Sequence, residues 1–229
     1  MARLPRLCLA NTLTYVRQYA LEELHVFDRD EDCDSLVPML SDAVTEHAVA
    51  LHGFALTPNR FDLLLTPTRA DDVARLLQSL SRRFVRTYNL RHQRQGVLWR
   101  QRYRSTLVDP EWGLACSRYI DTLASRLGLA EVPEYYPWSS AGTWLGHANP
   151  RLRLTPLNAY WDLANTPFER QSAYRACLEQ PLPDPIIARI DAAVEKAWPL
   201  GEPTWLTQLQ TRLTRRLEPL RRGRPTRQV

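Results

Sequence analysis

The stretch "AVALHGFALTPNRFDLLLTP" (residues 48–67) predicts a β-hairpin near the start of the chain. Its two halves are apolar runs of strand length, and the Pro-Asn pair between them is typical of a tight turn. In the second half, Arg60 and Asp62 interrupt the leucines. Because side chains alternate along a strand, these two point to one side and Phe61 to the other. Two polar groups on one face of an apolar strand indicate a site.

The segments around this hairpin extend it to a six-element pattern. Strand-like composition marks "TLTYVRQY" (12–19), and a helix is predicted over 28–49, with Pro38 in or near its first turn. A strongly amphipathic helix is predicted over 69–93, and a bent strand or hairpin over 97–108. The order matches the split βαβ pattern of ferredoxin-like domains. We therefore predict an α+β fold, with an antiparallel sheet and helices on one face of it.

The remainder of the chain predicts helices. One is expected over 109–129, with Asp109 as N-cap, Pro110 at the first position and Gly128 near its end. Three short amphipathic helices are expected over 169–180, 185–198 and 205–218. The predicted organisation is a ferredoxin-fold domain at 1–148, a C-terminal helical extension at 149–218 and a basic, disordered tail at 219–229.

Composition excludes several classes of protein. The 229 residues are 44% hydrophobic, but no window reaches the ~18 apolar residues of a membrane span. The N-terminus lacks the apolar core of a signal peptide, so we expect a soluble, cytoplasmic protein without membrane partners. Cys8, Cys33, Cys116 and Cys177 form no CxxC pair and have no histidine at metal-ligand spacing. Reduced thiols are expected, and zinc is not.

The segment from Val73 to Val108 contains no Asp or Glu and nine arginines. A solvated basic helix face is one explanation, but such a face normally carries acidic partners at i,i+4 spacing. The other explanation is a positive field that attracts a polyanion, with aromatic rings as stacking platforms for unpaired bases. The preference for arginine, with Lys196 as the only lysine, fits either phosphate recognition or the codon usage of a GC-rich genome. The predicted phosphate contacts are Arg82, Arg83, Arg86, Arg91, Arg94, Arg100, Arg102 and Arg104, and the predicted stacking residues are Trp99 and Tyr103.

A second basic signal lies in the tail. The sequence "RRGRP" (221–225) resembles the core of an AT-hook, which lies extended in the minor groove of A·T-rich DNA. Arginine side chains are well suited to a narrow minor groove because its negative potential is enhanced. We expect Arg222 and Arg224 to enter such a groove.

Several long segments, in order, make the chain similar to the REP-associated tyrosine transposases, a branch of the single-tyrosine HUH transposase superfamily. They include "FDRDED", "LTPNRFDLLLTP", "LQSLSRRFVRTYNLRHQRQGVLWRQRYRSTLVD", "SRYI", "PEYYPWSS", "AWPLGEPTW" and "RRGRP". The resemblance implies a protein that binds hairpins formed by palindromic repeats. It further implies two histidines that hold a divalent metal on a central strand, and a helix-borne tyrosine that attacks a DNA phosphate.

This chain departs from the family pattern at three places. Arg60 and Asp62 occupy the two histidine positions, and arginine cannot ligate a metal because it stays protonated. An Arg60–Asp62 ion pair that fills the metal space is a natural interpretation. Tyr119 stands at the position of the family nucleophile, but Leu123 and Ala124 replace an Asn-Pro pair after it. The first strand ends in "YAL" (19–21) instead of an Arg-Gly-Asn loop.

Three hypotheses follow. The first is a catalytically degenerate, domesticated DNA-binding derivative that holds hairpin or single-stranded DNA at the nucleoid, with no cofactor and a vestigial, structural Tyr119. The second is an active transposase that uses Tyr119 with Mg²⁺ or Mn²⁺ held by Asp62 and further ligands. The third is an RNA-binding regulator on the same sheet. A monomer is expected in preference to a homodimer.

Overall fold

The computed structural model describes residues 6–147 and 152–218. The predicted tail contacts at Arg222 and Arg224 lie outside these residues. The strands are β1 (Thr14–Tyr19), β2 (Val49–Thr57), β3 (Arg60–Pro67) and β4 (Arg104–Leu107). The helices are α1 (Asp30–Glu46), α2 (Asp72–Arg91), α3 (Gly113–Asp121), α4 (Leu123–Arg126), α5 (Ala141–Trp144), α6 (Asn158–Trp161), α7 (Pro167–Glu179), α8 (Asp184–Lys196) and α9 (Pro203–Thr211).

The four strands form one antiparallel sheet in the order β2-β3-β1-β4. The hairpin of β2 and β3 closes through Pro58 and Asn59, with Thr57 opposite Arg60. Helix α1 connects β1 to β2, and helix α2 connects β3 to β4. In both cases the two connected strands lie two places apart in the sheet. This is the split βαβ arrangement of ferredoxin-like domains. The predicted fold class is confirmed.

Helices α1 and α2 cover the first face of the sheet. Their apolar stripes pack against Val16, Phe61 and Leu63 in the largest apolar core. The opposite face carries Tyr15 and Leu64, and it is covered by α3 and by the C-terminal helix α8. The expectation of helices on one face of the sheet is therefore wrong in this detail. The sequence pattern does not indicate the second layer, because α8 follows the sheet by some eighty residues. The result is a sheet that is buried on both faces, and any charged side chain on it needs a partner there.

The largest local difference from expectation is at Pro38. The prediction that Pro38 lies near the first turn of its helix is wrong, because α1 begins at Asp30 and Pro38 lies in its interior. Asp30, Glu31 and Asp32 form the first turn, where the helix dipole favours negative charge. The buried stripe of α1 then outweighs the backbone hydrogen bond that Pro38 cannot make.

Other boundaries shift modestly. The predicted 109–129 helix is divided into a short 3₁₀ turn, α3 and α4, and the Asp109 carboxylate caps it by accepting a 3.2 Å hydrogen bond from the backbone N–H of Glu111. Gly128 follows the end of α4 with φ +71°, as a C-terminal glycine requires. In the 97–108 segment, only β4 is a regular strand. Trp99, which precedes β4, forms an isolated antiparallel β-bridge with Ala20. Among the described residues, no helix is both long and apolar enough to cross a membrane.

Candidate functional site

Asp62 lies fully buried on the second face of the sheet, at the centre of a group of charged and hydroxyl side chains. Its Oδ1 accepts hydrogen bonds from Arg17 Nε (2.6 Å) and from the Tyr15 hydroxyl (2.8 Å). Its Oδ2 lies 2.8 Å from Arg60 Nε, so the ion pair expected between Arg60 and Asp62 is present. The register of the strands explains why Arg17 joins this ion pair, because Arg17 on β1 stands directly opposite Asp62 on β3.

Tyr119 reaches the same group from α3. Its hydroxyl accepts a hydrogen bond from Arg17 Nη2 (2.9 Å) and donates one to Asp191 Oδ1 (2.6 Å) on α8. Arg17 Nη1 donates to the same Asp191 oxygen at 2.8 Å. We refer to the set as the charge cluster, whose members are Tyr15, Arg17, Arg60, Asp62, Tyr119 and Asp191.

The charges in the cluster stabilise one another. Burial alone would raise the pKa of Asp62, but the guanidinium of Arg17 and then that of Arg60 bring this pKa below its ordinary value. Burial would likewise lower the pKa of both arginines, and the Asp62 carboxylate raises each of them instead. All three groups therefore remain ionised near neutral pH. Two cations and the carboxylates of Asp62 and Asp191 leave the cluster without net charge.

The hydroxyl of Tyr119 is engaged as both donor and acceptor. Its side chain is 1% exposed, Tyr15 packs edge-on against its ring at 6.1 Å, and the Arg126 guanidinium lies 4.1 Å from the ring centre. Burial raises the pKa of Tyr119, and the two nearby arginines only partly oppose this. A nucleophilic tyrosine needs an accessible oxygen that loses its proton readily. In this arrangement the Tyr119 oxygen is buried, and the pKa of its hydroxyl lies above the ordinary value of a tyrosine.

The metal that the family resemblance implies does not fit these residues. A divalent ion between positions 60 and 62 would meet the guanidiniums of Arg60 and Arg17, which repel it and supply no lone pair. Both oxygens of Asp62 already face cations. Within residues 6–147 and 152–218, no group of three or more His, Cys, Asp or Glu side chains is placed to hold a metal ion.

Sequence reasoning missed Arg17, Asp191 and Glu195. Glu195 lies one turn after Asp191 on α8 and accepts a 2.7 Å hydrogen bond from the Tyr19 hydroxyl. A signal existed for Arg17, since strand alternation places residues 15, 17 and 19 on one face of β1. No signal existed for the acids of α8, because only the packing of α8 over the sheet brings them to Arg17.

The predicted phosphate-binding arginines divide into two groups. In the part of the chain that the structure describes, Arg82, Arg86 and Arg102 are exposed and form no ion pair or hydrogen bond through their side chains. The others have partners: Arg83 with Asp42 (2.8 Å), Arg91 with Asp32 (2.6 Å), Arg100 with Glu22 (2.7 Å), Arg104 with Glu195 (3.9 Å) and Arg94 with Asn89 (3.0 Å). These acids come from distant segments, so the lack of acids within 73–108 did not reveal them.

The two predicted stacking residues are partly buried. Trp99 packs among Phe27, Phe61 and Phe84, with ring centres 5.6–6.4 Å apart. The Arg6 guanidinium covers the ring of Tyr103 at 3.9 Å. Their role as stacking platforms stays a prediction, and it would use only the ring surface that these contacts leave open.

The fold of the chain, a sheet with paired helices on one face and a tyrosine-bearing helix on the other, is similar to that of a solved tyrosine transposase. A REP-associated tyrosine transposase solved in complex with a REP hairpin is similar to this protein with a TM-score of 0.55, over 69% of this chain and 93% of that one, at 10% identity. A Deinococcus radiodurans protein provisionally assigned as a transposase aligns over 53% of this chain and 97% of its own, with 22% identity and a TM-score of 0.38. No family model and no curated protein sequence matches the chain.

Proposed function

We propose that the protein is a REP-associated tyrosine transposase derivative that binds hairpin or single-stranded DNA without cutting it. The observation that carries this proposal is the charge cluster, in which two guanidiniums stand where the family resemblance places a metal. The shared fold supports the DNA partner, because the similar transposase was solved with a DNA hairpin. We place the protein at the nucleoid as a domesticated, catalytically degenerate member of the family.

The charges of the site oppose cleavage. Phosphoryl transfer to a tyrosine needs a Lewis acid at the scissile phosphate and a tyrosine oxygen free to attack. Here the metal position holds the Arg60–Asp62 pair, and the Tyr119 oxygen is hydrogen-bonded to Arg17 and Asp191. Tyr119 thus acts as a structural hydroxyl that joins α3, α8 and the sheet.

The exposed arginines of α2 favour binding to nucleic acid. Arg82 and Arg86 lie one helical turn apart, about 6 Å along the axis, so that both can contact neighbouring phosphates of one strand. The side chains of Arg83 and Arg100 form ion pairs with exposed acids. Such surface pairs contribute about 0–1 kcal/mol. A nucleic acid can therefore displace the acids at small cost and add these arginines to the interface.

Titration of a labelled DNA hairpin with the protein tests the binding. We expect affinity at low salt that falls steeply as salt is raised, because bound counterions are released from the phosphates. Failure to bind any hairpin or single strand at low salt would overturn the proposal. An RNA hairpin of the same sequence serves as the comparison, and a clear preference for RNA would favour the regulator hypothesis instead.

The retained Tyr119, with the carboxylates of Asp62 and Asp191 nearby, keeps the active transposase as the second candidate. Incubation of end-labelled hairpin DNA with Mg²⁺ or Mn²⁺ separates the two. We expect no protein–DNA adduct that survives denaturation. An adduct that forms with the native chain and is lost in Tyr119→Phe would establish the enzyme.

A further inference from the structure

A pocket of about 200 Å³ lies between the segment that leads into β1 and the helix α9. Its apolar wall is formed by Leu13, Pro110, Trp205 and Leu209. Among the residues that the structure describes, its lining includes no member of the charge cluster and none of the predicted phosphate-binding arginines. Pockets that take drug-sized molecules usually measure about 300–1,000 Å³. This pocket is therefore sized for a smaller molecule, at a place that the proposed function leaves unassigned.

The apolar wall is built from packed parts of the fold. Leu13 and Leu209 are 7% and 3% exposed. The ring of Trp205 is held beside Gly201, where a Cβ atom would overlap that ring and would lie 2.8 Å from the Cβ atom of Asp109. Only a glycine at position 201 leaves room for the tryptophan. The wall is thus pre-formed, and a pre-formed surface lowers the entropic cost of binding a ligand.

Three polar groups of the pocket are free to bind a ligand. The side-chain amides of Asn11 and Gln208 and the guanidinium of Arg212 form no hydrogen bond or ion pair with any residue that the structure describes. Asn11 has a φ of +53°, a left-handed conformation that asparagine tolerates better than most residues. Its backbone N–H donates to the carbonyl of Pro67 at 2.8 Å, so the backbone fixes the position of Asn11.

Arg212 gives the pocket a positive charge. It is the C-cap residue of α9, and the carbonyl end of a helix carries about half a negative charge. The full charge of a guanidinium exceeds this, and no acidic side chain is among the described residues that line the pocket. Charge complementarity therefore favours an anionic ligand. A single guanidinium balances one negative charge, and its planar fork matches the two oxygens of a carboxylate.

We propose that this pocket binds a small aromatic carboxylate, with the carboxylate on Arg212 and the ring against Trp205. The apolar wall suits the ring, and the amides of Asn11 and Gln208 suit polar substituents on it. A bound ligand would join α9 to the segment before β1. The site is separate from the surface that we propose binds DNA, so this inference goes beyond the proposed function.

Isothermal titration of the native protein with benzoate tests the site, and benzyl alcohol is the uncharged compound of similar size and shape. We expect benzoate to bind at millimolar concentration or below, and about tenfold more tightly than benzyl alcohol, because only benzoate can form a charged hydrogen-bonded pair. Arg212→Gln is expected to lower the affinity for benzoate to that for benzyl alcohol. Trp205→Leu is expected to weaken the binding of both compounds.

Arg216→Gln is the matched control, since Arg216 also follows α9 and is exposed but does not line the pocket. It removes the same charge and should leave the affinity for benzoate unchanged. The site would be overturned if the native chain did not bind benzoate, or if it bound benzyl alcohol equally well. An unchanged affinity in Arg212→Gln, or an equal loss in Arg216→Gln, would overturn it too. No DNA enters the experiment, so these outcomes leave the proposed function intact. The thermal unfolding midpoint of each variant confirms that it folds.

Discussion

Arg17 is a fully buried arginine whose charge is balanced from two directions. Asp62 faces it across the β1–β3 ladder, and Asp191 approaches from α8. Taking such charges out of water costs several kcal/mol per ion, and only close partners with good hydrogen-bond geometry offset that cost. The cluster thus depends on every member, since removal of one carboxylate leaves two guanidiniums with too little negative charge.

We predict that Asp62→Asn lowers the free energy of unfolding by about 3–5 kcal/mol, the usual penalty for leaving a buried charge without its partner. Urea denaturation followed by circular dichroism measures the change. Asp42→Asn is the control, because it breaks the exposed Arg83–Asp42 pair of similar length, and an exposed pair is worth about 0–1 kcal/mol. Equal effects of the two variants would show that the cluster is not a buried, interdependent unit.

Sequence patterns could predict the relative positions of residues that lie near one another in the chain. The positions of Arg60 and Asp62 on one face, opposite Phe61, follow from strand alternation, and the structure confirms them. Arg17 could have been added from the register of a ferredoxin-like sheet. Asp191 could not, because helical periodicity shows which face of α8 is polar and not which surface that face meets.

Among the elements, α3, α5 and α7 meet at a single buried carboxyl group. Asp121 near the end of α3 accepts hydrogen bonds from Ser140, at the start of α5, and from the Tyr174 hydroxyl of α7 (2.6 Å). Within the residues that the structure describes, Asp121 has no ion-pair partner. Burial raises the pKa of Asp121 to about 7, although both hydroxyls oppose the rise.

This carboxyl makes stability depend on pH in a defined direction. In the unfolded chain an aspartate has a pKa of about 3.9, so between that pH and 7 the folded state binds the extra proton. Asp121 therefore weakens the fold progressively as pH rises through this interval, and its full cost is present above pH 7. We predict that the free energy of unfolding of Asp121→Asn, measured relative to that of the native chain, rises by about 2 kcal/mol from pH 5 to pH 8.

Urea denaturation of both proteins at pH 5 and pH 8 gives this difference directly. Other groups titrate too, such as His52, whose pKa is lowered by burial. Their contributions cancel in the comparison because both proteins contain them. A difference that stays constant with pH would mean that Asp121 is ionised in the folded state throughout.

Element types were largely predictable, and their ends were not. The apolar stripe of α2 and the alternation of the hairpin are periodic signals, and both elements are present. Helix α1 starts earlier relative to Pro38 than its sequence suggested because tertiary burial outweighs one lost hydrogen bond. Helix α9 ends at Thr211 instead of residue 218, although the amphipathic pattern continues.

At the scale of the whole molecule, the positive charge is distributed unevenly. Acids of α1 and of distant loops neutralise many arginines of the 73–108 segment, and Arg82 and Arg86 remain as the free cations of α2. We predict that Arg82→Gln/Arg86→Gln weakens hairpin binding and lowers the slope of log affinity against log salt by about 2, one for each phosphate contact removed. Fluorescence anisotropy at several salt concentrations measures this slope.

Arg75→Gln/Arg153→Gln removes the same net charge and serves as the control, because Arg75 is paired with Asp71 on the far end of α2. It should leave the slope nearly unchanged. A decrease of the same size in both double variants would show that the total charge of the molecule governs binding instead of the exposed face of α2.

The global arrangement was predictable where it follows from the order of elements. A strand–helix–strand–strand–helix–strand order has few compact solutions, and the antiparallel sheet is one of them. The burial of the second face was not predictable, since short helices separated by prolines give no sign of where they dock. That docking brings α8 onto the sheet, and with it the acids that complete the charge cluster.

The balance of the charge cluster also constrains how such a protein can change over generations. Under the proposed descent from a transposase with two histidines around a metal, Arg60 and Asp62 replaced those histidines within a set of mutually dependent side chains. A histidine at position 62 alone would leave two buried guanidiniums without their carboxylate partner. A histidine at position 60 alone would leave Arg17 in the space that a metal would need. Each such single substitution is expected to lower stability before it restores any chemistry, so under the proposed function the arrangement behaves as an evolutionary ratchet.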